Sequence, residues 1–151
     1  MNDAQTAKAP WHLWAVGILA LLLNGFACTD YTMTRMHNME WLAQGGGDPQ
    51  AMLDWIEAFP LYAQFFWGLG VWTGLIGAVL LLIRHRWAVP ALGLSFLGAV
   101  ISLGYQTFGA PPAPPPMDDP SGMAMMSAAI IIATGLFYYY AHRQQKAGVL
   151  R

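Results

Sequence analysis

The sequence contains little charge and a single cysteine. Charged residues make up 10% of its 151 residues, whereas they make up about 25% of a typical soluble domain. A net charge of −1, without any cluster of lysine and arginine, excludes a surface for nucleic acid. Cys28 stands alone, so no internal disulfide can form. Phosphate-binding loops, nucleophile elbows and paired metal motifs are also absent from the sequence, so we expect a protein that is not an enzyme.

Four long runs without any charged residue dominate the sequence instead. A hydrocarbon core about 30 Å thick needs roughly 20 apolar residues of helix to cross it, and each run reaches that length. A soluble protein of this size has too little interior to bury four such segments. The first run is also longer than the core of a typical signal peptide, which favours a retained span. The runs are Ala9–Thr29, Ala58–Ile83, Trp87–Met117 and Pro120–His142.

We therefore predict an all-α fold, a four-transmembrane-helix bundle that forms one membrane domain over residues 1–151. The expected helices cover about residues 11–33, 60–83, 88–109 and 122–141, and helix one is expected to continue towards Leu42. Gly45–Gly47 should end it, since consecutive glycines disfavour helix. Asp48 and Pro49 then resemble a helix cap and first residue. They open a short amphipathic surface helix over about residues 48–59, whose apolar face comprises Met52, Trp55, Ile56 and Phe59.

Basic and acidic residues are sorted to opposite sides of the four runs. Of the seven basic residues, only Arg35 lies on the side where most acidic residues lie. Short loops rich in lysine and arginine stay on the cytoplasmic side of a membrane, so we predict that both termini are cytoplasmic. The other basic residues are Lys8, Arg84, Arg86, Arg143, Lys146 and Arg151, and the acidic residues that lie with Arg35 are Asp30, Glu40, Asp48, Asp54, Glu57, Asp118 and Asp119.

Asp30 is the ionisable residue of greatest functional interest, because it lies at or just inside the end of helix one. A carboxylate in lipid is costly, so such groups face the bundle interior or water. One interpretation is a proton- or cation-accepting site, in which Asp30 and His37 share a helical face beside an outward vestibule. The other is an aspartate in the headgroup layer. The candidate ligand- or ion-binding residues are Asp30, Asn24, Tyr31 and His37.

Methionines gather on the same side, and they raise the alternative of copper handling. Met33, Met36 and Met39 recur at intervals of three residues, with His37 among them. Thioether sulfur and imidazole are ligands that suit Cu(I). Methionine is also an ordinary filler of irregular apolar contacts, so the sequence alone assigns no metal.

Glycines in the second run predict close helix packing. Gly70 and Gly74 form a small-xxx-small pair, which lets two helix backbones approach each other, either within one chain or across a dimer interface. Gly77 continues the same face. We predict that Trp72, near the middle of the membrane, packs in the interior together with these three glycines.

Several short motifs resemble one family. They are Pro10-Trp11-His12-Leu13-Trp14, Asp30-Tyr31-x-x-Thr34, Trp67-Gly68-x-Gly70-Val71-Trp72-x-Gly74 and Arg86-Trp87-Ala88-Val89-Pro90. Over helices one to three, the sequence resembles small bacterial inner-membrane proteins that are sometimes labelled "sugar transporter". The resemblance implies a bacterial inner membrane as the location.

Three functions are consistent with this sequence. The first is a non-enzymatic membrane subunit that packs with itself or with a larger membrane complex. The second is a small transporter or ion-coupled carrier with an outward-facing polar site near Asp30. The third is the handling of copper on the outer side. In each case the lipid bilayer is an expected partner and nucleic acid is not.

Overall fold

A computed structural model describes residues 8–151 of the chain. Within this range the chain forms six helices and no strands, which confirms the predicted all-α fold. Four of the helices are long and apolar enough to cross a membrane, by length and composition. The helices are α1 (Trp11–Arg35), α2 (Met39–Ala43), α3 (Pro49–Glu57), α4 (Leu61–Leu82), α5 (Ala88–Phe108) and α6 (Pro120–Lys146).

Aspartate and proline together set the start of α3 and α6. Both helices begin at a proline that follows an aspartate, Asp48 or Asp119. Each carboxylate accepts hydrogen bonds from backbone N–H groups of the first turn. Proline suits this first position because its missing N–H would have no partner there anyway. At its other end α6 continues to Lys146, beyond the expected end near Ala141, because the helix outlasts the apolar run.

Glycines make the contact between α4 and α5, the most extensively packed pair of helices. Gly70 of α4 lies against Gly98 of α5. A Cβ built on Gly98 would stand 2.6 Å from the Cα of Gly70 and from the carbonyl oxygen of Phe66. No side chain fits against backbone at that distance. A Cβ on Gly77 would likewise stand 2.7 Å from the side chain of Leu92. This glycine seam is the close helix approach that small residues permit in membrane bundles.

Helices α1 and α6 pack on different members of the α4–α5 pair. α1 packs on α4, and α6 packs on α5. Between α5 and α6, large rings lie over glycines in both directions. Tyr138 of α6 lies over Gly93, and Phe96 of α5 lies over Gly135, with ring carbons 3.2 and 3.1 Å from the positions of the missing Cβ atoms. α6 is still the least buried of the four long helices. In its most apolar stretch 11% of the residues are buried, compared with 28 to 33% in the other three helices.

Trp72 does not pack in the interior, which corrects the prediction. Its side chain is 46% exposed on the surface of α4. Successive helical residues are about 100° apart, so Trp72 lies about 200° around the helix from Gly70. It therefore points away from the seam. Almost every residue of this helix is apolar, so hydropathy could not indicate the buried face, whereas the glycine spacing could. Gly70, Gly74 and Gly77 are all buried.

Residues 148–151 fold back onto the turn between α4 and α5. The backbone N–H of Arg86 donates to the carbonyl of Arg151 (2.7 Å), and the N–H of Arg151 donates to the carbonyl of Arg84 (2.8 Å). Val149 and Leu150 are 4% and 6% exposed and belong to the main apolar core. We call residues 148–151 the C-terminal clasp. It ties the end of α6 to the α4–α5 pair.

The structure gathers basic and acidic residues at opposite ends of the bundle. His12, at the start of α1, is hydrogen bonded to the Tyr140 hydroxyl near the end of α6. The clasp lies at this same end. We call it the basic end, and its cationic residues are Lys8, Arg84, Arg86, Arg143, Lys146 and Arg151. The other end, with α2, α3 and the loop before α6, is called the acidic end.

Trp55 docks α3 against the acidic end. It is 9% exposed, and its indole N–H donates to the carbonyl of Pro111 (2.8 Å) in the proline-rich segment. Its ring meets Phe59 edge to face at 4.7 Å, and Phe59 meets Tyr105 of α5 at 5.3 Å. The predicted amphipathic segment is therefore a helix, and this part of its apolar face packs on the protein itself.

Candidate functional site at the acidic end

The chain reverses sharply after α1, and this reversal shapes the acidic end. α1 ends at Arg35, whereas the sequence predicted its continuation towards Leu42. His37 has a φ of +55°, in the left-handed region that ends a right-handed helix. The side chain of Asn38 then caps α2 by accepting from the N–H of Trp41 (2.9 Å). As a result, α2 returns along the side of α1.

This return brings Trp41 to Asp30. The indole N–H of Trp41 donates to a carboxylate oxygen of Asp30 at 3.0 Å. Asp30 is partly buried. In the described part of the chain, no basic side chain forms an ion pair with it. One oxygen of this partly buried carboxylate therefore accepts a hydrogen bond from a neutral donor.

His37 pairs with α3 and not with Asp30, which corrects the predicted pairing. Its Nε2 lies 2.8 Å from a carboxylate oxygen of Glu57, and the two side chains are 54% and 45% exposed. The spacing argument failed because it assumed continuous helix from Asp30 to His37. The left-handed residue turns the imidazole towards α3 instead. An exposed pair of this kind contributes little to stability.

A second polar group links the ends of α1, α3 and α4, and the sequence did not predict it. The Arg35 guanidinium donates to the Gln64 side-chain oxygen (2.9 Å). The Gln64 amide donates in turn to the carbonyls of Phe59 (2.7 Å) and Glu57 (3.2 Å). A glutamine inside a charge-free run was the available signal. These bonds fix the junction of α3 and α4 against α1.

Asn24 lies in a buried polar contact deep among the long helices. It is 7% exposed, and its amide donates to the carbonyl of Ala20 one turn earlier (2.8 Å). Its amide oxygen and the hydroxyl of Ser95 both lie against Gly74. A Cβ there would overlap the Asn24 oxygen and stand 2.7 Å from the Ser95 oxygen. Polar groups of α1 and α5 therefore meet over a glycine of α4.

Tyr31 joins α1 to α4 and does not share the surroundings of Asp30. Its ring meets Trp67 edge to face at 4.8 Å. Its hydroxyl would be 2.7 Å from a Cβ on Gly68. Of the four candidate ligand-binding residues, Asn24 and Tyr31 thus lie in helix contacts, whereas Asp30 and His37 lie at the acidic end with separate partners.

The methionines of the copper hypothesis are not organised around His37. The sulfur of Met33 accepts from the Asn38 amide at 3.7 Å, and Met36 is 71% exposed. No group of three or more histidine, cysteine, aspartate or glutamate residues suited to a metal ion occurs in residues 8–151. Met39 is half-buried in α2. We derive no metal site from this arrangement.

Two cavities lie at the ends of the bundle. One, of about 200 Å³, lies at the acidic end between the last turn of α5 and the loop before α6. Thr107 lines it, and its hydroxyl is the one buried side-chain polar atom of residues 8–151 that lacks a hydrogen-bond partner. The other, of about 470 Å³, is a groove along the last two turns of α6 at the basic end. Pro120 and Met123 of α6 also line the first cavity, so it lies between the ends of α5 and α6.

Comparison of the chain with protein-family models, curated proteins and solved structures gave no match in any of the three.

Proposed function

We propose that this chain is a non-enzymatic subunit of a bacterial inner membrane, which packs through α6 against a second copy of itself or another membrane subunit. The length and composition of its four long helices are those of a multi-pass membrane protein. The proposed role explains why one of them, α6, is less buried within the chain than the other three.

The exposure of α6 is the observation that supports this role most strongly. Of its 27 residues, only Ser127, Phe137 and Ala141 are buried. Its outward side carries small residues, such as Ala128, beside large ones, such as Ile132. Small residues on a membrane helix let a second helix approach closely. A helix that packs this sparsely within its own chain has surface left for another.

The close packing within the bundle favours a subunit over a carrier. The Gly70–Gly98 contact leaves no space for a side chain between α4 and α5. Asn24 and Ser95 fill the space over Gly74 in the same way. Carriers bind substrate near the middle of the membrane, beside broken helices. In the described chain α1, α4, α5 and α6 are continuous helices throughout their length.

The proposal includes an orientation with the basic end in the cytoplasm. Six of the seven basic residues lie at this end, and short loops rich in lysine and arginine stay on the cytoplasmic side of a membrane. A cysteine at Gly45 should react with a membrane-impermeant reagent from outside, and one at His85 should not. The opposite pattern would reverse the orientation.

Disulfide cross-linking in membranes tests the subunit role. In a Cys28→Ser background, Ala128→Cys and Ile132→Cys place thiols one turn apart on the outward side of α6. We expect mild oxidation to join Ala128→Cys or Ile132→Cys chains into a dimer, or into a product with another membrane protein.

Ser127→Cys is the matched control, because Ser127 neighbours Ala128 but is 5% exposed. It should remain uncross-linked under the same oxidation. If both outward positions remain monomeric in membranes, α6 faces only lipid and the proposed role is wrong.

A small proton- or cation-coupled carrier is the second candidate, and the partly buried Asp30 is the observation that favours it. Its single neutral donor, Trp41, leaves the carboxylate with capacity to bind a proton or cation. Asp30→Asn in proteoliposomes would abolish ion-linked uptake if Asp30 is the coupling site. Unchanged uptake in the variant, or none in the parent protein, would exclude this candidate.

A further inference from the structure

The groove at the basic end continues the outward face of α6 beyond Ala128 and Ile132, the positions where the subunit contact is proposed, and its surface is cationic. Its walls are Tyr139, His142, Arg143, Lys146 and Ala147. The first four follow the spacing i, i+3, i+4, i+7, so they lie on one face of α6. We propose that this groove binds the phosphate-bearing headgroup of an anionic phospholipid.

The position of the groove along α6 matches the headgroup layer. The charge-free part of α6, Pro120–His142, spans about 34 Å as a helix, slightly more than a hydrocarbon core of about 30 Å. Tyr139 therefore lies near the membrane boundary, where aromatic residues are common. Arg143 and Lys146 lie one and two turns farther, at the level of lipid phosphates.

Tyr139 holds the Arg143 guanidinium in place. The guanidinium carbon lies 5.9 Å from the centre of the Tyr139 ring, and Nη1 donates to the Tyr139 hydroxyl at 3.2 Å. A guanidinium has five N–H donors in a planar fork, so this bond orients the group and leaves donors for phosphate oxygens. His142 is held by stacking on Tyr138, with the two rings 6.2 Å apart.

Within residues 8–151, no aspartate or glutamate lies at the end of the bundle that holds the groove. All acidic residues from Asp30 to Asp119 belong to the acidic end of the bundle, and no other Asp or Glu occurs in residues 8–151. Arg143 and Lys146 therefore present their positive charge to the membrane surface. Basic residues in this position attract anionic lipid headgroups.

Three of the carbonyl groups at the end of α6 accept hydrogen bonds, which lessens their repulsion of an anion. The N–H groups of Ala147, Gly148 and Val149 donate to the carbonyls of Arg143, Gln145 and Gln144, each at 3.0 Å. Gly148 has a φ of +71°, which permits this reversal. The remaining negative end of the helix dipole is a smaller effect than the attraction of two cationic side chains.

The open side of the groove favours a lipid over a dissolved phosphate. Only α6 and its C-terminal cap wall the groove, so a ligand lies alongside the helix, where a lipid headgroup and its chains already run. A dissolved anion would be held by one wall alone.

Native mass spectrometry of the full chain in detergent tests the site. Phosphatidylglycerol and phosphatidylcholine with identical acyl chains are added at equal concentration, and the bound lipid is counted. We expect preferential retention of phosphatidylglycerol. Arg143→Gln/Lys146→Gln removes two attractive charges, so its affinity for phosphatidylglycerol should fall about 30-fold.

Arg86→Gln is the control matched to Lys146→Gln alone, because each variant removes one positive charge at this end and Arg86 lies outside the groove. It should retain the preference for phosphatidylglycerol. Lys146→Gln alone, at the exposed end of the helix, should lose about five-fold in affinity, and it serves if the double variant fails to fold.

Four outcomes would overturn the proposal. Equal retention of the two lipids by the parent protein would exclude an anion site. Two results would exclude this location: an unchanged affinity of Lys146→Gln for phosphatidylglycerol, or a loss of affinity in Arg86→Gln as large as the loss in Lys146→Gln. Displacement of phosphatidylglycerol by inorganic phosphate at the same concentration would assign the groove to a dissolved anion and not to a lipid.

Discussion

The α4–α5 pair and α6 solve the same packing problem in different ways. Between α4 and α5, backbone meets backbone at Gly70 and Gly98. Between α5 and α6, single rings such as Tyr138 lie over glycines, and Phe137 and Ala141 of α6 belong to the apolar core. The clasp at Val149 and Leu150 then adds an attachment at one end of α6. Continuous contact makes a fixed pair, whereas separate points of attachment leave a helix with a free side.

This difference indicates where each kind of substitution should act. A side chain introduced at the seam must push two backbones apart, and an interior offers little relaxation for such overpacking. A side chain shortened at a point of attachment removes only that contact.

Gly98→Leu should have the largest effect. Its Cβ alone would stand 2.6 Å from two backbone atoms of α4, so we expect the free energy of unfolding to fall by about 3 kcal/mol or more. Gly104→Leu is the control in the same helix, because no atom lies within 4 Å of a Cβ there. Thermal unfolding in detergent measures both. Equal losses would mean that the seam is not closely packed.

Leu150→Ala should come next. Leu150 is 6% exposed in the core at the basic end, and truncation of a buried leucine costs about 2 kcal/mol or more. Leu136→Ala on the outward side of α6, where Leu136 is 60% exposed, should change stability by less than about 0.5 kcal/mol. Chemical unfolding compares the two variants. A larger loss for Leu136→Ala would place the attachment of α6 elsewhere.

Trp55→Phe should have the smallest effect. It keeps an aromatic ring but removes the hydrogen bond to Pro111, which is worth about 1 kcal/mol. We expect faster hydrogen exchange in α3 and unchanged exchange in α4 and α5. Trp11→Phe, at a residue that is 80% exposed, is the control. Unchanged exchange in α3 would mean that this bond does not hold the helix in place.

The sequence predicted the features that depend on long runs of residues, such as the membrane-length helices. It did not predict the contacts that depend on single side chains. The four long helices followed from charge-free length, and the Asp48 cap from a local pattern. Trp72 was misplaced because an almost wholly apolar helix has no polar face to contrast with its buried one. The contacts of Asp30 and His37 were missed because a left-handed histidine ends α1, with neither glycine nor proline to mark the break.

The C-terminal clasp was also missed, although a local signal for it exists. Gly148 directly after a helix is a common terminating residue, and an apolar residue that follows such a glycine often packs back on the helix. Val149 and Leu150 fit this pattern. The partner of the clasp, the backbone of the 84–86 turn, lies far away in sequence and is brought near only by the folded bundle.

The proposal that α6 joins this chain to another is tested most directly by the mass of the particle extracted from native membranes. Native mass spectrometry after gentle extraction should give an assembly heavier than one 16.5 kDa chain with its lipids. Ala128→Trp should reduce the fraction of chains found in this assembly, because the larger side chain obstructs the outward side of α6. A parent protein found only as a single chain with lipids would contradict the account.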